Sequence, residues 1–378
     1  MRRRDFLAAS VAALVVPRPA LAQARYRRLL ILVELKGGND GLNTVVPYAD
    51  QDYYELRPRL ALARDAVLQL DARAGLHPAL EPLMPMWRAG ELAVVQGVGY
   101  ADPNLSHFRS IEIWDTASAS DQYLSSGWLA RAFVADPAPP GFAADGVAVG
   151  GNDMGPLAGA PRAIVLNDPD QFLRQARLAR PEQRSGNAAL NHILRVEAEI
   201  VQAARRLSAD VPLRTEFPAN AFGSALRTAA QLAANRGGVA AMKVSLEGFD
   251  THQDQAARQQ RLLAELAAGL AALKSALVEI GRWDATLLMT YAEFGRRPRA
   301  NDSQGTDHGT ANAHFVVGGR VRGGLYGAPP DFGALDGGNL PYAVDFRSLY
   351  ATALERWWGI DAARALGGRF PTLELLRA

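Results

Sequence analysis

The 378-residue sequence contains no cysteine. That excludes disulfides, thiolate nucleophiles, Cys-ligated zinc, iron–sulfur clusters and a lipidated N-terminal cysteine. Lysine is scarce too: Lys36, Lys243 and Lys274 are the only three, and the remaining basic side chains are arginines. No surplus of one charge is present, with 41 basic against 39 acidic residues, so nothing points to nucleic acid as a partner. At 48% hydrophobic and 21% charged the chain is neither disordered nor collagen-like, and it is not a multi-span membrane protein.

The first 22 residues read as a targeting segment. Arg2-Arg3-Arg4-Asp5-Phe6-Leu7 precedes a short apolar run from Ala8 to Val16, and Ala20-Leu21-Ala22 forms an Ala-x-Ala cleavage site. The run is shorter than the ~20 residues a spanning helix requires, so no stable membrane span is expected. Paired arginines before Phe-Leu resemble a twin-arginine signal, with an ordinary secretory signal as the alternative. The expectation is export by the twin-arginine translocase to the periplasm or beyond, already folded and with any metal loaded beforehand. Without this segment, which holds four arginines and one aspartate, 37 basic and 38 acidic residues remain. Residues 23–378 are expected to form a single α/β domain.

Short apolar runs alternate with helical patterns. Leu29 to Val33 is polar only where it ends, as a strand buried on both faces should be. Leu92 to Val95, Val147 to Val149, Ala163 to Leu166, Met242 to Leu246, Thr286 to Thr290 and His314 to Val317 are further strands. Helical spacing marks Ala188 to Leu207 and Gln253 to Ile280, whereas Asp136 to Pro140 and Arg297 to Thr310 read as loops. This alternation predicts a three-layer α/β/α fold around a mostly parallel sheet. Ligands in such sheets gather beyond the carboxyl ends of strands, so the residues following each strand are the candidates.

After the first run, Gly37-Gly38-Asn39-Asp40-Gly41 places Asp40 in a sharp turn, as a metal-ligating carboxylate or as a turn residue. No Gly-Lys-Ser/Thr follows, so this is not a phosphate-binding P-loop. After the second, Ser106 precedes a helix. Free amides there favour an anion, which fits either a nucleophilic hydroxyl or a plain N-cap. Asp250 and His252 are two apart at the end of the fifth run and point to one side if extended, suiting Zn²⁺ or a similar ion; the alternative is helix capping. Glu293 directly follows the sixth run, where a carboxylate is costly unless paired or metal-bound. Arg296 can pair with it or grip a substrate anion bidentately, and Arg109 is a second candidate for that anion. Asp307-His308 lies in a Gly-bounded loop, with His314 beyond. His77, before a proline, and His192, inside a helical pattern, read as structural.

The order acid, Ser, Asp-x-His, acid, His resembles the alkaline phosphatase and sulfatase superfamily. More specifically, the chain resembles the bacterial family named domain of unknown function 1501. The resemblance rests on the double arginine and on Lys36-Gly-Gly-Asn-Asp-Gly-Leu-Asn43, Val46-Pro47-Tyr48, Leu76-His77-Pro78 and Ser106-His107-Phe108. It continues through Gly127-Trp128-Leu129, Phe249-Asp250-Thr251-His252, Glu293-Phe294-Gly295-Arg296 and Thr306-Asp307-His308-Gly309. It implies an alkaline phosphatase-like fold and one or two divalent ions, zinc first, with Mg, Mn or Ca as alternatives. It also implies Ser106 as nucleophile, Arg109 or Arg296 on the substrate anion, and Asp40, Asp250, His252, Glu293, Asp307 and His308 around metal. The substrate would be a phosphate or sulfate ester, or a glycan carrying one. Phe294 departs from the pattern, standing where a paired histidine would be; Asp307-His308 is then an alternative for that pair, with His314 last. Formylglycine sulfatases are excluded, because neither cysteine nor a Ser-x-Pro-x-Arg run is present. The competing expectation is a non-catalytic exported protein with a degenerate metal site, binding an envelope partner or a glycan.

Overall fold

The computed structural model describes residues 25–167, 211–235 and 238–377. The leader and the pattern from Ala188 to Leu207, with His192, lie outside the described residues. Among the described residues nine strands form the main sheet, and these belong to it: β1 (Leu29–Lys36), β2 (Leu92–Gly99), β3 (Ala144–Val149), β4 (Ala163–Leu166), β5 (Val239–Glu247) and β6 (Thr286–Tyr291). A separate hairpin, β7 (Gly295–Ala300) and β8 (Thr306–Gly309), precedes β9 (Asn312–Val317), β10 (Gly324–Gly327) and β11 (Val344–Asp345), which return to the main sheet.

The sheet runs β10-β2-β9-β6-β1-β5-β3-β4, with β11 also pairing with β2. Every pairing is parallel except those of β9, which is antiparallel to both β2 and β6. All the expected strands are present. The stretch expected as a loop from Arg297 to Thr310 instead contains most of the β7–β8 hairpin. Its arginines and glycines show no apolar alternation, because buried guanidinium groups rather than a hydrophobic face hold it in place.

β1 shows why the layers are three. Leu29, Ile31, Val33 and Leu35 enter one core, while Leu30 and Leu32 enter the other. Side chains alternate across a strand, so a run apolar at every position must be covered on both faces. The first core packs against α4 (Ala221–Ala234) and α5 (Gln255–Glu279). The second packs against α2 (His107–Thr116), α3 (Trp128–Ala135) and α6 (Phe346–Ala351), with Trp114, Trp128, Trp357 and Trp358 all buried. A short α1 (Gly41–Thr44) follows β1.

Because β5, β1 and β6 are parallel neighbours, the loops leaving their carboxyl ends meet at one edge. Gly37 and Gly38 make the meeting possible. Both have positive φ, at 114° and 77°. A Cβ on Gly37 would lie 2.4 Å from the Asp250 amide nitrogen, and one on Gly38 would lie 2.3 Å from the Phe294 ring.

Candidate metal centre

Asp250, at the end of the β5 loop, is the hub. Its Oδ1 lies 3.0 Å from His252 Nε2 and 3.3 Å from His308 Nε2, and its Oδ2 lies 3.4 Å from His107 Nε2. His252 and His308 also bring their Nε2 atoms to 2.9 Å of each other. Two of the other ring nitrogens are held from behind by hydrogen bonds, and the third, on His252, faces a carboxylate beyond hydrogen-bond reach. His107 Nδ1 is 2.9 Å from Glu293 Oε1, His308 Nδ1 is 2.7 Å from the Leu105 carbonyl oxygen, and His252 Nδ1 is 3.6 Å from Asp307 Oδ1. Holding Nδ1 fixes the tautomer and leaves Nε2 as a lone-pair donor, which is how metal-ligating histidines are oriented. His107, Asp250 and His308 offer ligand atoms that all lie within 4.8 Å of one another. The set of imidazoles and one carboxylate suits a divalent ion such as Zn²⁺. Asp250 keeps 47% of its side chain exposed, so the centre is open on one side.

The electrostatics follow the same geometry. Burial works against the charge of Asp250, but the hydrogen bond and charge of Arg296, with His107 and His252 beside it, hold the carboxyl at about 2. The hydrogen bond to Glu293 raises His107, against the opposing effect of burial. Burial lowers His308.

Arg296 is fully buried and does not reach toward solvent. Its Nε donates to Gly38 O at 2.7 Å, its Nη1 to Thr306 O at 2.9 Å, and its Nη2 to Asp250 Oδ1 at 2.7 Å, to Phe249 O at 3.0 Å and to Gly37 O. One guanidinium thus ties the loops after β1 and β5 to the hairpin that carries His308. Its partner is Asp250 rather than the expected Glu293. Glu293 instead accepts from Gly37 N at 2.9 Å with the same Oε1 that meets His107.

The remaining expected residues lie as follows. Asp40 is fully buried and bidentate with Arg57, at 2.6 and 3.0 Å. It also accepts from Leu42 N at 3.2 Å and from Gln255 Nε2. Those donors occupy both its oxygens, as a carboxylate anchoring a turn requires. Arg109 donates to the carbonyls of Ala119, Ser120 and Gln122, pairs with Glu112 at 2.9 Å and lies 3.9 Å from the Tyr123 ring centroid. It therefore fastens a loop. Ser106 occupies the N-cap position of α2 but makes no capping hydrogen bond; its amide donates to Asn104 Oδ1 at 2.9 Å, and its side chain is exposed. Asp307 is exposed at the periphery. Phe294 lines the centre instead of ligating, with its ring 4.3 Å from that of His308 and 5.0 Å from that of His107.

His77 is structural as expected, accepting from Ala79 N at 3.0 Å. His314 is buried with neither ring nitrogen hydrogen-bonded, and burial pushes it down to about 3. It lies against Trp114, away from the cluster. His107 is the ligand candidate that sequence reasoning missed. The signal was there, because it follows Ser106 directly at the start of α2.

A cavity of about 780 Å³ opens beside the centre, and His107, Asp250 and Glu293 line both. Among the described residues its wall holds seven carboxyl side chains against one lysine, Lys36. Phe108, 89% exposed, stands on the same wall.

Solved structures with a similar trace include the Escherichia coli EptC C-terminal periplasmic domain in complex with Zn, at 11% identity and TM-score 0.39, covering 77% of this chain and 72% of that one. The PsFucS1 sulfatase from Pseudoalteromonas sp. reaches 11% and 0.43, with coverages of 95% and 76%. A Vibrio parahaemolyticus protein in the alkaline phosphatase superfamily reaches 9% and 0.40, with coverages of 93% and 77%. Likenesses this distant carry no chemistry across. No curated protein matches the sequence. The family described as protein of unknown function (DUF1501) matches residues 92–368, and the chain belongs to that family.

Proposed function

We propose that this chain is an exported metalloprotein that hydrolyses a phosphate or sulfate ester at the Asp250 centre. One observation carries the reading: three imidazole Nε2 atoms converge on one half-open carboxylate while the opposite nitrogens of His107 and His308 are held from behind. His107, His252, His308 and Asp250 would hold a divalent ion, with Glu293 and Asp307 as the carboxylates behind two of the histidines. When bound, such an ion supplies Lewis acidity toward an ester oxygen and acidifies water. Arg296 positions the ligand loops. Ser106, at the amino end of α2 and next to His107, is the candidate nucleophile. Both expected anion-binding arginines donate to backbone carbonyls, so the ester anion would be held by the metal and the α2 amides. The arginine-rich leader supports export by the twin-arginine route.

The test is metal analysis of the purified mature protein beside the double variant Asp250→Ala, His308→Ala, followed by turnover of phosphate and sulfate monoesters. The expected result is one ion per chain in the first, none in the second, and turnover only in the first. Absence of metal from both, with unchanged melting in chelator, would overturn the reading. A second reading, binding without turnover, is favoured by Phe294, whose ring takes space beside two of the histidines. Metal uptake without turnover of any ester would select it.

A further inference from the structure

A second cavity, of about 200 Å³, lies at the carboxyl end of β2, and neither Asp250 nor the histidines of the metal centre line it. On β2, Leu92 and Val94 enter the first core, and Gln96 follows them onto the same face. Beside it, β9 sends Ala313 and Phe315 to that face. The pairing is bulged there: Val98 lies opposite Asn312 and Val95 opposite His314, so Gln96 and Gly97 together face Ala313. Gly97, with φ at 67°, accepts from Ala343 N at 2.7 Å, which holds the loop between β10 and β11 against the cavity.

Two buried side-chain amides line this cavity and differ in what they bond. Asn312 is complete: its Nδ2 donates to Asn39 O and Phe294 O, both at 3.0 Å, and its Oδ1 accepts from Ala313 N at 2.8 Å. Gln96, only 7% exposed, makes no side-chain hydrogen bond to any described residue, and the cavity is where it meets open space. The surroundings are apolar, with buried Leu42, Val45 and Ala313 on one side and the more exposed Pro329, Pro330 and Pro341 on the other. Among the described residues the one cation on the wall is Arg296, whose guanidinium already serves five acceptors. An anion would therefore enter without a counter-charge. The one carboxylate, Asp331, is exposed and accepts from Gly333 N at 3.0 Å.

An amide in an apolar enclosure is satisfied only when both its donor and its acceptor are met. A second amide edge, with N–H and C=O side by side, meets both at once. At about 30 Å³ for each water displaced, the volume admits a body of about six to eight non-hydrogen atoms. We infer that this cavity is a second binding site, and that it takes a compact neutral molecule whose N–H and C=O share one edge of an apolar body, as in a lactam or a primary carboxamide. The three prolines fix their own backbone, so little ordering cost opposes binding. This inference does not rest on the hydrolytic reading.

The test is a ligand-observed NMR titration of the mature protein with 2-piperidone, a six-membered lactam, and with cyclohexanone, the same ring without the N–H. Isobutyramide represents the primary carboxamide. The lactam should bind at least roughly fivefold tighter than the ketone, although the ketone is the more apolar of the two. That comparison needs no variant. In Gln96→Leu, with folding checked by its melting curve, the preference should vanish while the ketone still binds. In the double variant Asp250→Ala, His308→Ala it should persist, because the metal centre is elsewhere. Isobutyramide binding as tightly as the lactam would assign the site to primary amides as well, and lactam binding alone would assign it to rings; both support the inference. Equal binding of lactam and ketone, no binding of either, a preference that survives in Gln96→Leu, or one lost in the double variant would overturn it.

Discussion

Two Asp–Arg pairs sit in neighbouring loops and do opposite work. Asp40–Arg57 is sealed, with both side chains at 0% exposure; in Asp250–Arg296 the arginine is equally buried but the aspartate is half open. Both arginines grip the backbone of the same hairpin region, Arg57 through Pro298 and Arg297 carbonyls and Arg296 through Thr306. What differs is the second side of each carboxylate. Asp40 meets only hydrogen-bond donors: a guanidinium, an amide side chain and a backbone N–H. Asp250 meets imidazole nitrogens whose lone pairs can face a cation. A carboxylate ringed by donors is a structural anchor, whereas one set among imidazole nitrogens is a candidate metal ligand.

The largest expected effect tests the sealed pair. Asp40→Ala leaves the Arg57 charge buried without its carboxylate and should lower stability by about 3–5 kcal/mol. Asp250→Ala should lower apoprotein stability by about 1 kcal/mol, since its pair is half exposed and Arg296 keeps its carbonyl partners. Denaturant unfolding of the two variants measures both. If Asp250→Ala proves the more damaging, the division into anchor and site is reversed.

Next comes the carboxylate behind His107. Glu293→Gln keeps the shape but weakens the hold on Nδ1, and should reduce metal affinity roughly 10–100-fold. Competition with a chromogenic chelator reads this directly. Asp40→Asn, used as the control, should leave affinity unchanged in the folded protein.

How much of this was legible in the sequence follows the same division. The strands were legible because most are short apolar runs, and the three layers followed from their alternation with helices. Asp250 and His252 were legible as a pair, since two-residue spacing at a strand end puts both on one side; neither caps α5, whose N-cap is Asp254. Asp40 was ambiguous because its partner Arg57 lies outside any motif. Only the fold shows that its oxygens are already taken. The hairpin was hidden for a similar reason, since it is held by Arg57 reaching in from elsewhere and by its own buried Arg296 reaching out to the loops after β1 and β5. Glu34 directly follows the apolar run Leu29 to Val33 within β1, and the reasoning that singled out Glu293 applies to it equally. Its partner Lys243 is on β5, adjacent in space but 209 residues away.

The buried histidine offers a third contrast, with the histidines of the centre. His314 has a folded-state value of about 3 against about 6.5 unfolded, so the unfolded chain binds the extra proton between those limits. Its contribution is therefore complete above pH 6.5 and declines as pH falls toward 3. At pH 5 the loss from this one group should be about 2 kcal/mol. His314→Leu removes both unpaired nitrogens and should flatten that part of the acid limb in a comparison of unfolding curves at pH 7.5 and pH 5. An unchanged acid limb would mean that the imidazole finds a partner in solution.

The smallest expected change in stability belongs to Ser106→Ala. An N-cap serine that bonds a helix amide contributes typically about 1 kcal/mol, but Ser106 makes no such bond and is exposed. Its loss should move stability by less than about 0.5 kcal/mol. Ester turnover, by contrast, should fall by roughly a thousandfold or more if this hydroxyl attacks the substrate. That would make Ser106 the counterpart of Asp40, with one residue mattering to chemistry but hardly to the fold and the other the reverse. If turnover survives the substitution, attack passes to water activated at the Asp250 centre. The serine is then only the residue that starts α2 and delivers His107 to the metal.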